Sequence, residues 1–272
     1  MKQINIKWNK SKFIFCLYIS VFLIANTKIF AQRSYINELL PGTESTFQHF
    51  NLESSEITGM SHFNYETLKK EGSRFIVEKN ENVKNDGKVF TRKMLWFDAI
   101  SGIPKWYEET DLRKRFRITN SYTGKIIRTR LVKNDQVLEF ETNLSKEKAV
   151  PFEVIIFFLR KNLHKILRTK KFSFKLFIPL LAIELEKNGL PRSMSIIDMS
   201  VEPRERVSMD TPIGVMNAQT IMVSPKSRFL RSIMPRKKTH FEFTFATVPP
   251  FHLLKFKAGK TKHVLTRLTL AK

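Results

Sequence analysis

The sequence predicts a mainly β (α+β) protein, an antiparallel sheet with one main helix packed against it. Three observations carry that expectation. Short runs of alternating apolar and polar residues recur along most of the chain, each bounded by turn residues. One stretch alone, Pro151 to Lys171, clearly carries the i, i+3, i+4, i+7 spacing of a helix face, through Phe152, Ile155, Ile156, Leu159, Leu163, Ile166 and Leu167. The single cysteine, Cys16, lies in an early apolar run, so the rest of the chain must fold on a hydrophobic core without disulfides, which about 240 residues can do.

Residues 1–31 read as a signal peptide. Lys2, Lys7, Lys10 and Lys12 precede the apolar run Phe13 to Ala25, which is shorter than a membrane span, and Ala31 offers a cleavage point before Gln32. Residues 32–58 are weakly patterned, with a turn at Pro41-Gly42, and read as an arm or loop. Residues 59–272 then form one β-rich domain. Its first half is a meander of strands at Met60 to Leu68, Arg74 to Glu78, Lys88 to Phe97, Pro104 to Glu109, Leu112 to Thr119, Lys125 to Lys133 and Val137 to Thr142. Lys70-Glu71-Gly72, Asn85-Asp86-Gly87, Ser101-Gly102, Asn120 to Gly124 and Asn134-Asp135 separate them. Arg113, Arg115 and Arg117 would line one solvated sheet face.

The helix follows, near residues 151–168. Pro151 suits its first turn, Glu153 complements the positive end of its dipole, and Arg168, Lys170 and Lys171 suit its last turn. Its first half is apolar nearly all round, because Val154, Phe157 and Phe158 sit where the second half carries Arg160, Lys161, His164, Lys165 and Arg168. That face is either buried on both sides or touches an apolar ligand or a bilayer. Phe172 to Ile178 alternates as a strand. Leu180 to Lys187 pairs with Arg192 to Met199 as a hairpin through Asn188-Gly189, with a short helix between Pro179 and Gly189 as the alternative. Strands at Arg204 to Met209, Val215 to Val223, Phe241 to Thr247, Phe251 to Lys257 and His263 to Leu270 complete the chain.

The formal charge is +23, and it is uneven. Residues 33–150 hold 20 basic and 17 acidic side chains, whereas residues 151–272 hold 23 and 8. In an exported chain such a field meets anionic headgroups or acidic envelope polymers rather than nucleic acid. Arg228, Phe229, Arg231, Arg236, Lys237 and Lys238 form the segment expected to contact a membrane or other anionic surface. Twenty phenylalanines remain after Ala31 and fill a core or line a cavity.

Motifs for chemistry are missing. There is no G-x-S-x-G elbow, no S-x-x-K and no glycine-rich phosphate loop. The six histidines are scattered, and His240 with Glu242 lacks a third ligand for a catalytic zinc. Glu108, Glu109 and Asp111 read as surface ion-pairing groups. No enzyme activity, cofactor or metal is expected.

The second half resembles a broad uncharacterised family of exported bacterial β-rich proteins. The resemblance rests on Phe158-Leu159-Arg160 in the helix, Arg204-Glu205-Arg206-Val207 running into Thr211-Pro212-Ile213-Gly214, and Pro249-Pro250 before the last strands. The family's fold is similar to the lipoprotein-localisation-factor half-barrels, which implies a curved antiparallel sheet around an apolar cavity closed by helices. The resulting expectation is an exported protein of the periplasm or outer-membrane surface that binds a lipid or other amphiphile without catalysis. Val154, Phe157, Phe158, Lys161, Lys165 and Arg168 would be its ligand-binding residues. A structural or adaptor protein that binds another envelope protein through its sheet is the alternative.

Overall fold

A computed structural model describes residues 41–145, 147–169, 171–228 and 240–271. The expected signal peptide lies outside them, as do Phe229, Arg231, Arg236, Lys237 and Lys238. Fifteen strands make one sheet: β1 (Glu44–Asn51), β2 (Ile57–Lys70), β3 (Ser73–Lys84), β4 (Val89–Asp98), β5 (Pro104–Asp111), β6 (Phe116–Thr123), β7 (Ile126–Lys133), β8 (Gln136–Asn143), β9 (Val150–Pro151), β10 (Phe172–Phe177), β11 (Ile196–Thr211), β12 (Gly214–Pro225), β13 (Phe241–Ala246), β14 (Leu253–Ala258) and β15 (Thr261–Thr269). Between β9 and β10 lie a 3-10 turn (Phe152–Val154) and two helices, α1 (Ile155–Lys161) and α2 (Leu163–Arg168); α3 (Pro179–Lys187) follows β10.

The spatial order runs β8 down to β1, then β15 down to β9. Every pairing is antiparallel except β9 with β10. The first and last strands, β1 and β15, therefore meet in the middle of the sheet. The chain's midpoint supplies both edges.

That topology forces the sheet to curve. A flat sheet would hold β8 and β9 about 65 Å apart at about 4.8 Å per strand. The link from Asn143 to Val150 reaches only about 25 Å when fully extended. The edges are thus drawn together around the helices. The core reflects this, because Ile127, Leu131 and Phe140 at one end share a buried cluster with Phe177, Ala182 and Ile183 at the other.

The helical segment is packed from two sides. Ile155, Leu159, Leu163 and Ile166 join Leu176, Met199, Ile221, Val223, Phe243 and Phe245 of the second half. Val154 and Phe157 join Leu95, Phe97, Ile118 and Phe140 of the first. This dual burial explains why the first half of the helix is apolar all round.

Four local expectations are corrected. The long helix is broken at Asn162, whose Nδ2 donates to the Phe158 carbonyl at 2.8 Å, and Pro151 and Phe152–Val154 precede α1 as strand and 3-10 turn. Leu180 to Lys187 belongs to a helix, not a hairpin arm: Pro179 starts α3, Gly189 at φ 70° follows its end, and Ala182 and Ile183 are buried. The arm at 32–58 contains β1, which β2 and β15 flank. The arginine row dissolves as well, since residues 112–115 are a turn and Arg115 has φ 49°.

Candidate functional site

The strongest site lies between α1 and the inner face of the sheet. Register places Tyr65 of β2 opposite Glu78 of β3, and the Tyr65 hydroxyl donates to Glu78 at 2.6 Å. One helical turn apart on α1, Ile156 and Arg160 face this pair. With Thr43, Ser45, Phe47, Phe63, His252, Leu253, Leu265 and Leu268 they line a cleft of about 50 Å³. Its wall is apolar, and a few polar groups converge in it, the usual composition of a ligand site.

Electrostatics single out Arg160. Burial raises the Glu78 carboxyl, and the Tyr65 hydrogen bond and the charges of Arg160 and Lys93 pull it back. The Tyr65 phenol is raised well above its ordinary value by burial and by Glu78. His252 is lowered to about 4, first by burial and then by the Arg160 charge. The buried Nε of Arg160 has no hydrogen-bond partner in the protein, although a buried charged donor normally has one. Arg160 also lies 5.8 Å from the Phe157 ring.

Two other inward-facing polar groups serve structure. Glu153 accepts hydrogen bonds from Tyr122 and from Asn120, the latter at 2.5 Å, and so ties the 3-10 turn to β6. Ser61 Oγ lies 2.5 Å from His49 Nε2 and donates to Asn82 Oδ1 at 2.5 Å. With its proton committed to Asn82, Ser61 accepts from the imidazole. Among the described residues no group of three or more His, Cys, Asp or Glu could hold a metal ion, and no helix is long and apolar enough to cross a membrane.

The residues expected to bind ligand are not brought together at the cleft. Val154 is buried, Phe157 meets Phe97 at 4.7 Å, and Phe158 packs on Phe174 at 4.9 Å in the other half of the core. Lys161, Lys165 and Arg168 are exposed, and Lys165 reaches over the Phe172 ring at 5.7 Å. Arg228 is exposed too. Sequence reasoning passed over Tyr65, Glu78, Arg160 and His252 as site residues. Glu78 carried one signal, since it shares a strand face with buried Ile76 and Asn80.

No protein-family model matches the chain, and no curated protein matches it. Two solved structures are similar to it at low scores. One, from Bacteroides fragilis NCTC 9343, is described as a "putative exported protein with YmcC-like fold"; the alignment has 9% identity and TM-score 0.34, and covers 85% of this chain and 97% of that one. The other is described as a "putative lipoprotein" of Parabacteroides distasonis ATCC 8503, with 11% identity, TM-score 0.33, and coverage of 85% and 96%. At these scores neither likeness carries an argument about this chain.

Proposed function

We propose that the chain is an exported envelope protein that binds the anionic headgroup of an amphiphile, without catalysis, in the cleft between α1 and strands β1–β3, β14 and β15. The observation that carries this reading is the unpartnered Nε of Arg160 among apolar side chains. A guanidinium there matches a carboxylate or phosphate by charge and by fork geometry. His252, held neutral, adds a ring nitrogen.

Size restricts what enters. A site that encloses a whole small molecule occupies roughly 300 Å³ or more, and the cleft has about 50 Å³. It can take a headgroup, leaving the tail on the apolar mouth around Phe63 and Leu268. This differs from the large cavity that the half-barrel resemblance implies. Export rests on the basic start and 13-residue apolar run of the N-terminus. The exposed Lys165 and Arg168 supply attraction to an anionic membrane surface.

Organic extracts of the full chain, purified gently after export, test the reading by mass spectrometry beside an Arg160→Met variant. The expected result is one anionic amphiphile per wild-type molecule and none on the variant at an unchanged thermal midpoint. A wild-type protein that is empty, and that adds oleate no better than the variant, would overturn it.

A further inference from the structure

A second surface lies on the opposite side of the sheet, independent of the cleft. Leu95 and Phe97 of β4 point into the core, so Trp96 between them faces outward, with Trp106 of β5 as its register partner. Both indoles are partly exposed. Phe75 of β3 extends the strip, its ring 5.8 Å from that of Trp96. Trp96 Nε1 donates to the Met94 sulfur at 3.2 Å, which fixes that indole in place.

Two open hollows flank this strip; Trp106 lines one of them, and the Lys70 ammonium reaches over the Trp96 ring at 5.7 Å. One of about 610 Å³ spreads over β1 to β5 and includes Met94 and Glu108, the register pair next to the tryptophans. The other, about 520 Å³, runs from Trp106 to β8. Both lie on the outer face of the first half of the sheet.

Charge argues for the occupant. Acidic and basic groups of this face neutralise one another in cross-strand pairs: Lys79–Glu66 at 2.7 Å, Arg92–Glu81 at 2.9 Å, Arg117–Glu108 at 2.7 Å, Arg128–Glu141 at 2.5 Å and Arg130–Glu139 at 3.0 Å. The excess positive charge belongs to residues 151–272, so an anionic polymer is drawn there. Over β3 to β7 a peptide gains no main-chain hydrogen bonds either, because their backbone groups are used in the ladders and the open edge is the far side of β8. An uncharged, hydroxyl-rich chain of rings fits. Its C–H faces meet the negative faces of the indoles, and its hydroxyls meet carboxylates, guanidinium groups and Ser121. We propose that the outer face of β3–β8 is a binding platform for a neutral polysaccharide, stacked on Trp96 and Trp106.

The chain has three tryptophans, Trp8, Trp96 and Trp106, so in a Trp8→Phe background indole fluorescence reads the platform alone. Dextran, laminarin and mannan are titrated in turn, with dextran sulfate as the charged control. A saturable change is expected with at least one neutral polymer. By calorimetry, Trp106→Ala should weaken that binding tenfold or more and Trp106→Phe less, at unchanged thermal midpoints. If Trp106→Ala does not fold, Trp106→Phe and the exposed Arg128→Ala variant decide. The proposal is overturned if no neutral polymer binds, or if dextran sulfate alone binds and does so equally in the tryptophan variants.

Discussion

The imidazoles of His49 and His263, register partners on β1 and β15, meet edge to face with centroids 4.2 Å apart. Burial is the main cause that lowers both, and the charge of His49 adds to it at His263. His49 falls to about 4, with His62 also contributing, and His263 to about 3, with Lys93 also contributing. Their position in the middle of the sheet makes their protonation a matter for the whole fold.

Stability should therefore fall with acid. An imidazole depressed on folding binds fewer protons in the folded than in the unfolded state, so its contribution is full above pH 6.5 and is lost as pH falls through about 4. One pKa unit corresponds to about 1.4 kcal/mol, which puts the cost of charging His49 on the order of 3 kcal/mol. Urea unfolding from pH 7 to pH 4 should show this loss, and His263→Phe should reduce it.

Glu153 should act with the opposite sign. Burial raises its carboxyl, while Tyr122, its own backbone N–H and Asn120 pull it back. The contribution of a raised carboxyl is present below about 4.5 and is lost as pH rises through the folded value. Glu153→Gln keeps an acceptor for Asn120 and Tyr122 and should remove that loss, giving a flatter profile above about pH 4.5. Glu153→Ala strands both donors and should cost about 1–3 kcal/mol for each, read by the same unfolding curves.

Arg160→Met should move a second reporter in the same cleft. With the guanidinium gone, one of the two causes that hold His252 near 4 disappears. Its imidazole should then titrate closer to 6.5 in an NMR pH series. An unchanged value would show that Arg160 does not act on the cleft electrostatically.

Gly59 should not tolerate a side chain. It sits at φ 154° beside the bulge of β1, and a Cβ there would lie 2.3 Å from the Val83 carbonyl oxygen. Gly59→Ala should lower the thermal midpoint by more than an exposed control such as Gly87→Ala, where a Cβ meets nothing within 4 Å.

Much of the meander was legible because β2 to β5, β7 and β8 alternate and are separated by glycine or asparagine turns. Other features escaped for physical reasons. Leu159 and Leu163 stay four residues apart across the break at Asn162, so apolar spacing continues in phase where the helix does not. At Asn188-Gly189 a left-handed glycine suits both a hairpin turn and a helix end, and burial of Ala182 and Ile183 decided for the helix. In β1, inward His49 and Ser45 interrupt the apolar face that would mark a strand. The cleft was hidden most deeply, since Tyr65 and Glu78 meet through the β2–β3 register while Arg160 comes from α1 and His252 from the segment before β14.

The meeting of β1 with β15 at mid-sheet sets an order of assembly. A chain synthesised from its N-terminus presents β1 early, and the strand that must cover its free side arrives last. Until then β1 to β8 is a half-sheet with an unsatisfied edge at β1, a template for pairing with another copy. A circular permutant joined near Gly42 and Ala271, which lie side by side, and opened between residues 144 and 149 would abolish that interval.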